Sequence, residues 1–312
     1  MNVLITGATG YLGASLVETF LRDPERHVIA LGRSTARLTR LSDRFRDVPG
    51  RLTCWCHDLL EIDSLPDPVD LVVHAAAVRP PTARKDGEFT DVNVDGTRTL
   101  ARAAADAGCH RFLYASTQAV YGLAGAPWSE DAPTAPETVY GRSKLQGEQV
   151  LSEVSDLFEL VTLRLSRLYG VTPEARWTEL PALFAQRAAR GDRLEVHGTG
   201  DRRFDLLHIG DAAEGFLAAA EASLPSRDSV INLGGGGSVR VREIAETYVR
   251  LAAKRDLPPV EIKYVESPTS GGAGHLELET ERARQVLGWV PRISLAEGLG
   301  GYLDEAIRRT TA

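Results

Sequence analysis

The sequence predicts an α/β protein built on a doubly wound parallel sheet, with a smaller, discontinuous α/β lobe beside it. Three observations lead there. Short β-rich runs alternate with helical patterns through the first 165 residues, the first strand runs through a glycine-rich turn directly into a helix, and this rhythm breaks after Leu165. Repeated βα units place helices on both faces of a parallel sheet.

Strands are expected at residues 2–5, 27–31, 52–57, 71–74, 111–115 and 160–165, with helices between them, such as 11–21 and 97–107. Residues 166–200 form a long excursion containing Pro173, Pro181 and a helical 183–190. Apolar runs return at 204–209 and 230–233, followed by helical stretches at 242–254 and 280–288. The expected division is therefore a sheet domain over 1–165, with 205–235 returning to it, and a second lobe from 166–204 and 236–312.

A chain of 312 residues with 43% hydrophobic and 25% charged residues has enough apolar surface for a sizeable core. Its net charge of -7 argues against a nucleic-acid partner, which calls for a basic stripe. No apolar run reaches the ~18–20 residues of a membrane span. The opening Met1-Asn2-Val3-Leu4-Ile5 reads as a strand with no basic region before it, so the expected location is cytoplasmic. Cys54, Cys56 and Cys109 have no framework spacing, which suits a reducing compartment. The period-2 spacing of Cys54 and Cys56 is read as strand residues packed into the core. His57, His74, His197 and His208 fall at strand ends or in apolar surroundings without metal-ligand spacing, and no metal is expected.

Gly7-Ala8-Thr9-Gly10-Tyr11-Leu12-Gly13 is a G-x-x-G-x-x-G between the first strand and the first helix. Glycines there allow a tight turn and close backbone approach, and the helix N-terminus presents free N–H groups to a dinucleotide pyrophosphate. At the end of the second strand an acidic residue would bond the ribose 2′-OH of NAD. The chain instead reads Leu31-Gly32-Arg33-Ser34, and Arg33 suits a 2′-phosphate, which favours NADP(H) over NAD(H). Asp58, after the third strand, is placed for the adenine side.

Tyr140-Gly141-Arg142-Ser143-Lys144 is a Y-x-x-x-K in a chain with only four lysines. Residues i and i+4 share a helix face. A phenol with a pKa near ~10 is a poor base at neutral pH, and a neighbouring ammonium favours its phenolate. Such a tyrosine takes a proton from an alcohol as a hydride leaves, or gives one to a ketone. Ser116 and Thr117 follow the fifth strand, where a hydroxyl can hold the reacting oxygen or simply cap a turn.

Together these residues resemble the extended short-chain dehydrogenase/reductase family, and within it the sugar-nucleotide epimerase/dehydratase group. The resemblance also draws on Asp58-Leu59, His74-Ala75-Ala76-Ala77, Asn93-Val94-Asp95-Gly96-Thr97, Leu163-Arg164, Tyr169-Gly170, His208-Ile209 with Asp211, Asn232-Leu233-Gly234, and Leu287-Gly288-Trp289 with Pro291. It implies a Rossmann-like cofactor domain, a substrate lobe and a homodimer formed through a helical face. It implies Thr117, Tyr140 and Lys144 as catalytic residues. Cofactor contacts are implied at Gly7, Thr9, Gly10, Tyr11, Leu12, Gly13, Arg33, Asp58, Leu59, Ala75, Ala76, Ala77, Asn93 and Ser116, and from Tyr140 and Lys144. Substrate contacts are implied at Arg79, Ser116, Thr117, Gln118, Arg167 and Arg203.

Departures narrow the chemistry. Where 4,6-dehydratases carry acids after the Ser-Thr element, this chain has Gln118 and Ala119, which disfavours dehydration. The usual Phe-Asn before Tyr169-Gly170 is Ser166-Arg167, and the later phosphate-binding arginine is out of register, with Phe204 in its place and Arg202 and Arg203 upstream. Three functions follow. The first is a sugar-nucleotide epimerase acting at C4, and the second an NADPH-dependent ketoreductase of a 4-keto-deoxysugar nucleotide or other small ketone. The third is a non-catalytic NADP-sensing protein.

Overall fold

The computed structural model describes all residues except 67, 81–86, 124, 176, 267–274 and 312. The strands are β1 (Asn2–Thr6), β2 (His27–Gly32), β3 (Arg51–Cys56), β4 (Leu71–His74), β5 (Arg111–Thr117), β6 (Glu159–Leu165), β7 (Arg167–Tyr169), β8 (Leu194–His197), β9 (Arg203–His208), β10 (Asp228–Leu233), β11 (Ser238–Arg240) and β12 (Ile262–Val265). The helices are α1 (Tyr11–Phe20), α2 (Thr35–Arg44), α3 (Gly87–Thr90), α4 (Gly96–Asp106), α5 (Val139–Ser152), α6 (Leu180–Arg190), α7 (Ile209–Glu221), α8 (Val241–Ala253), α9 (Glu281–Leu287) and α10 (Leu295–Thr311).

Among the described residues the large sheet has seven strands in the order β10-β6-β5-β4-β1-β2-β3, all parallel. The chain builds outward from β1 through β2 and β3, then restarts at β4 on the other flank. The order therefore reverses between β1 and β4, and the C-terminal ends of those strands border the crevice where open α/β sheets bind ligands. Central strands such as β1, β2 and β4 are buried almost throughout, as strands covered on both faces must be.

The edge strand β3 corrects one expectation. Cys54 and Cys56 do lie in a strand, but both are exposed, and the buried thiol is Cys109. A strand paired on one side only, with α2 covering part of one face, has no second neighbour to close over it.

The second lobe contains a small sheet, β11-β9-β7, and the pair β12-β8. Strand β9 differs from the expected division, in which 205–235 rejoins the large sheet. It pairs with β7 and β11, and the return begins with α7. Along β9 the two cores alternate: Phe204 and Leu206 pack into the lobe core, and Leu207 into the large-sheet core. The C-terminal part is also shared, because Ala283 and Trp289 join the large-sheet core while Leu299, Tyr302, Leu303 and Ala306 of α10 join the lobe core. Among the described residues no helix is long and apolar enough to cross a membrane.

Candidate active site

The glycine loop occupies the reversal point of the sheet. Gly7 has φ +65°, the left-handed region that favours glycine, and a Cβ there would lie 2.8 Å from Ala76 Cα and N. The loop thus rests directly on the Ala75-Ala76 backbone beyond β4. A Cβ on Gly13 would come within 2.1 Å of the Gly7 carbonyl oxygen, so α1 starts hard against the loop. Gly10 N donates to Gly7 O at 2.8 Å, and Gly10 caps α1 in an extended conformation with no side chain bonding the first-turn amides. Those amides, at the positive end of the helix dipole, suit the pyrophosphate of a dinucleotide. Tyr11 turns towards the other lobe, where its hydroxyl donates to Gly170 O at 2.8 Å.

Arg33 and Asp58 stand at the ends of β2 and β3, with Arg33 Nη1 4.0 Å from Asp58 Oδ2. Arg33 is largely exposed. Asp58 also accepts from Leu60 N at 3.0 Å, capping the short turn that buries Leu59 against Gly96.

A directed chain of hydrogen bonds fixes the Ala75-Ala76-Ala77 segment. Thr97 Oγ1 donates to Asn93 O at 2.8 Å, so it accepts from His74 Nε2–H at 2.9 Å. His74 Nδ1 is then the acceptor for the Thr6 hydroxyl at 2.7 Å, and Thr6 Oγ1 accepts from Ala76 N at 3.1 Å. This requires a neutral imidazole. Burial, with the nearby Lys144, holds His74 well below the usual histidine range, in agreement. Asn93 sits in a π-helical turn, Asp91–Asp95, between α3 and α4. Its Oδ1 accepts from Val78 N at 2.7 Å, and its Nδ2 donates to Val78 O and to Ser143 Oγ, both at 2.9 Å. The side chain expected to touch cofactor is thus engaged in pinning the 75–78 stretch to α5.

Helix α5 presents the Tyr–Lys pair. Thr138 caps it, accepting from Gly141 N at 3.0 Å, which puts Tyr140 in the first turn. Gly141 lies so close to Ala119 that a Cβ would sit 2.6 Å from its carbonyl oxygen, bringing α5 against the turn after β5. Thr117 caps that turn, its Oγ1 accepting from Ala119 N at 3.3 Å, which leaves its own hydrogen free to donate. Gln118 Oε1 is buried without a hydrogen-bond partner. Ser116, by contrast, turns inward and donates to Glu148.

The electrostatics differ from the simple Tyr–Lys picture. Burial raises Tyr140 above the ordinary phenol range, and the charge that opposes this is Arg79. Arg79 also acts on Tyr11, which places it near both the acid/base candidate and the glycine loop. Lys144 is 1% exposed, and its Nζ lies 3.9 Å from the centre of the Tyr114 ring. Desolvation lowers it to about 7, with Glu148 working in the opposite direction. Tyr114 and Glu148 stand in no motif read from the sequence, and Arg164 enters only through the family resemblance, without a role. The available signals were Tyr114 two residues before Ser116 on a strand, and Glu148 one helical turn after Lys144.

Arg167 and Arg203 lie in strands β7 and β9 of the small sheet, Arg167 two residues beyond Leu165, the partner of Thr117 at the end of β5. Arg167 pairs with Glu179 at 3.3 Å and lies 5.0 Å over the Phe204 ring, while Arg203 Nη1 donates to Ser238 Oγ at 3.3 Å. Arg202 also stacks on Phe204, at 4.9 Å.

Comparison with known proteins agrees with this geometry. Residues 3–234 match the model of the NAD dependent epimerase/dehydratase family. The dTDP-glucose 4,6-dehydratase of Streptomyces griseus is 30% identical over 96% of this chain and 92% of its own. The UDP-glucose 4-epimerase of Mycolicibacterium smegmatis is 28% identical over 97% of this chain and 98% of its own. Among solved structures, MoeE5 in complex with UDP-glucuronic acid and NAD superposes with a TM-score of 0.80 at 28% identity, covering 99% of this chain and all of that one. This chain belongs to the NAD dependent epimerase/dehydratase family, whose relatives and structural neighbours are sugar-nucleotide enzymes of the extended short-chain dehydrogenase/reductase type.

Proposed function

We propose that the protein is a sugar-nucleotide epimerase acting at C4, with Tyr140 as acid/base, Thr117 as the donor that orients the reacting oxygen, and Lys144 as the buried cation beside them. The observation that carries this reading is that the β5 turn, with α5 packed on it, and the glycine loop lie at the C-terminal ends of central strands of the sheet. The capless first turn of α1 and the crowded Gly7 and Gly13 fit a dinucleotide pyrophosphate. The unpartnered Gln118 oxygen fits a hydroxyl-bearing substrate.

The bound nicotinamide cofactor supplies the hydride acceptor and, when oxidised, a positive charge. The protein's part is proton transfer and alignment. With its pKa raised, Tyr140 rests as a neutral phenol, ready to give a proton to a keto oxygen, and acts as a base when positive charge is close. Thr117, already accepting from Ala119, donates to the same substrate oxygen. An epimerase site would also have to leave room for the keto-sugar to turn over. Gln118 and Ala119 offer no acid for dehydration, which supports epimerisation over elimination.

The Tyr140→Phe variant tests the assignment. Turnover should fall by roughly 10²–10⁴ with cofactor affinity unchanged. Equal activity in the variant and the wild type would refute it.

We also infer a preference for NADP(H) over NAD(H), supported by the exposed Arg33 beside Asp58. This feature favours a second reading, an NADPH-dependent ketoreductase. Mass spectrometry of the nucleotide released on denaturation separates the two. Near-stoichiometric retained NAD+ fits an epimerase that recycles its cofactor in place, and rules out the Arg33 argument. A protein that carries none and binds NADPH much better than NADH fits the reductase.

A cytoplasmic location accords with the three free cysteines. The homodimer rests on the family resemblance and is checked by light scattering.

A further inference from the structure

Strand β5 and helix α5 meet in matched register beneath the site. Tyr114 and Ser116 are two apart on the strand, ~6.6 Å along it, and Lys144 and Glu148 are four apart on the helix, ~6 Å along it. The two spacings agree, so the side chains meet as two rungs. Lys144 Nζ lies 3.9 Å from the Tyr114 ring centre, and Ser116 Oγ donates to Glu148 Oε1. Gly147 permits this approach, since a Cβ there would lie 2.1 Å from the Tyr114 hydroxyl oxygen.

Glu148 is held from a third side. Arg164 of β6 donates to it from Nε at 3.1 Å and from Nη2 at 2.7 Å, and from Nη1 to Tyr121 at 2.9 Å. Tyr121 in turn donates to Asn232 at 2.8 Å. Ser116, Lys144, Glu148 and Arg164 are all buried. A carboxylate with this many bonds is fixed in place.

We propose that Glu148 is a positioning residue for Lys144: clamped by Arg164 and Ser116, it is the fixed counter-charge that, with the Tyr114 ring, favours the Lys144 ammonium against the cost of its burial. The functional consequence rests on the reading of Lys144 as part of the catalytic pair, but the electrostatic claim stands apart from it. Other groups facing Lys144 do not do this work. His74 of β4 is neutral, Tyr140 and Tyr114 are un-ionised phenols, and Arg164 carries the wrong sign. On the neighbouring helical segments Asp91, Asp95, Arg102 and Asp106 are exposed, Glu88 and Arg98 are half-buried, and Arg98 pairs with Asp95. Desolvation outweighs the opposing charge of Glu148 and brings Lys144 down to about 7, and among the described residues Glu148 is the charge that works against it.

The experiment is an NMR titration of protein labelled with [13Cε]lysine, which requires neither substrate nor turnover. The chain has four lysines, Lys85, Lys144, Lys254 and Lys263, so few signals are present, and the one missing in Lys144→Arg is Lys144. In Glu148→Gln its titration should move down by about one pH unit or more. Because that variant leaves Arg164 buried and unpaired, Glu148→Gln/Arg164→Met provides a second fold that carries neither charge. A downward displacement is again expected in it, smaller than in Glu148→Gln because a like charge is removed as well. Coincident titration curves for wild type and a folded variant would overturn the proposal. An active wild type with coincident curves refutes only this proposal, whereas an inactive wild type with displaced curves refutes only the catalytic reading.

Discussion

Replacing Gly13 with alanine tests whether the glycine loop is shaped by contact rather than by flexibility. The new Cβ would lie 2.1 Å from Gly7 O, 2.7 Å from Gly7 C and 2.9 Å from Ala8 Cα, where ordinary contact begins at 3.4 Å. All three atoms are backbone, so no side chain can rotate away. Gly7 has little room to retreat, because a Cβ on it would already lie 2.8 Å from Ala76 Cα and N. The strain must be taken by moving α1 off the loop, at the upper end of the ~1–3 kcal/mol that overpacking costs. The same shift displaces the first-turn amides, so cofactor affinity should fall by at least about tenfold. Thermal melting and cofactor titration by fluorescence measure both effects. Gly301→Ala is the control: it lies in α10 with nothing within 4 Å of the added Cβ, and should stabilise by ~0.5–1 kcal/mol. A Gly13→Ala protein that melts and binds cofactor as the wild type does would refute the contact argument.

Other expectations follow from the same structure. Native protein should expose two thiols to a thiol reagent at pH 8, Cys54 and Cys56. Cys109, buried and pushed up to about 11, should react only after unfolding. Asp205 is buried, accepts from Gly235 N and Leu278 N, and is pushed up from 3.8 to about 6 by desolvation. Between about pH 4 and 6 the native state keeps a proton that the unfolded chain has released, so stability from this residue is present at low pH and lost as pH rises through that window. Denaturant unfolding of Asp205→Asn should show a flatter pH dependence there, by up to ~3 kcal/mol; parallel curves would contradict it. Arg33→Asp should weaken NADPH binding more than NADH binding, measured by titration with each, and equal effects would remove the basis for the NADP preference.

Much of the active site is legible in the sequence because its chemistry imposes local spacing. A pyrophosphate turn needs glycines at the start of one helix, and a Tyr–Lys pair needs one helical turn, so both lie in short runs. The parallel βα rhythm is equally local, and strand positions such as residues 71–74 follow from it. What supports those residues is not local. Asn93 reaches Val78 and Ser143, Ser116 reaches Glu148, and Arg164 ties Glu148 to Tyr121. These contacts join separate elements, and no period in the chain announces them.

The sequence by itself determined the α/β class, the dinucleotide turn, and the positions of Tyr140 and Lys144 on one helix face. Tertiary structure decided the rest. Strand order left β3 at the edge and exposed Cys54 and Cys56 despite their strand-like spacing. It placed β9 between two cores rather than in the large sheet. It also turned Ser116 inward to Glu148 and buried Lys144 over the Tyr114 ring. The physical reason is that burial and partner choice belong to neighbours brought together by folding, whereas turn chemistry and helical spacing belong to the chain.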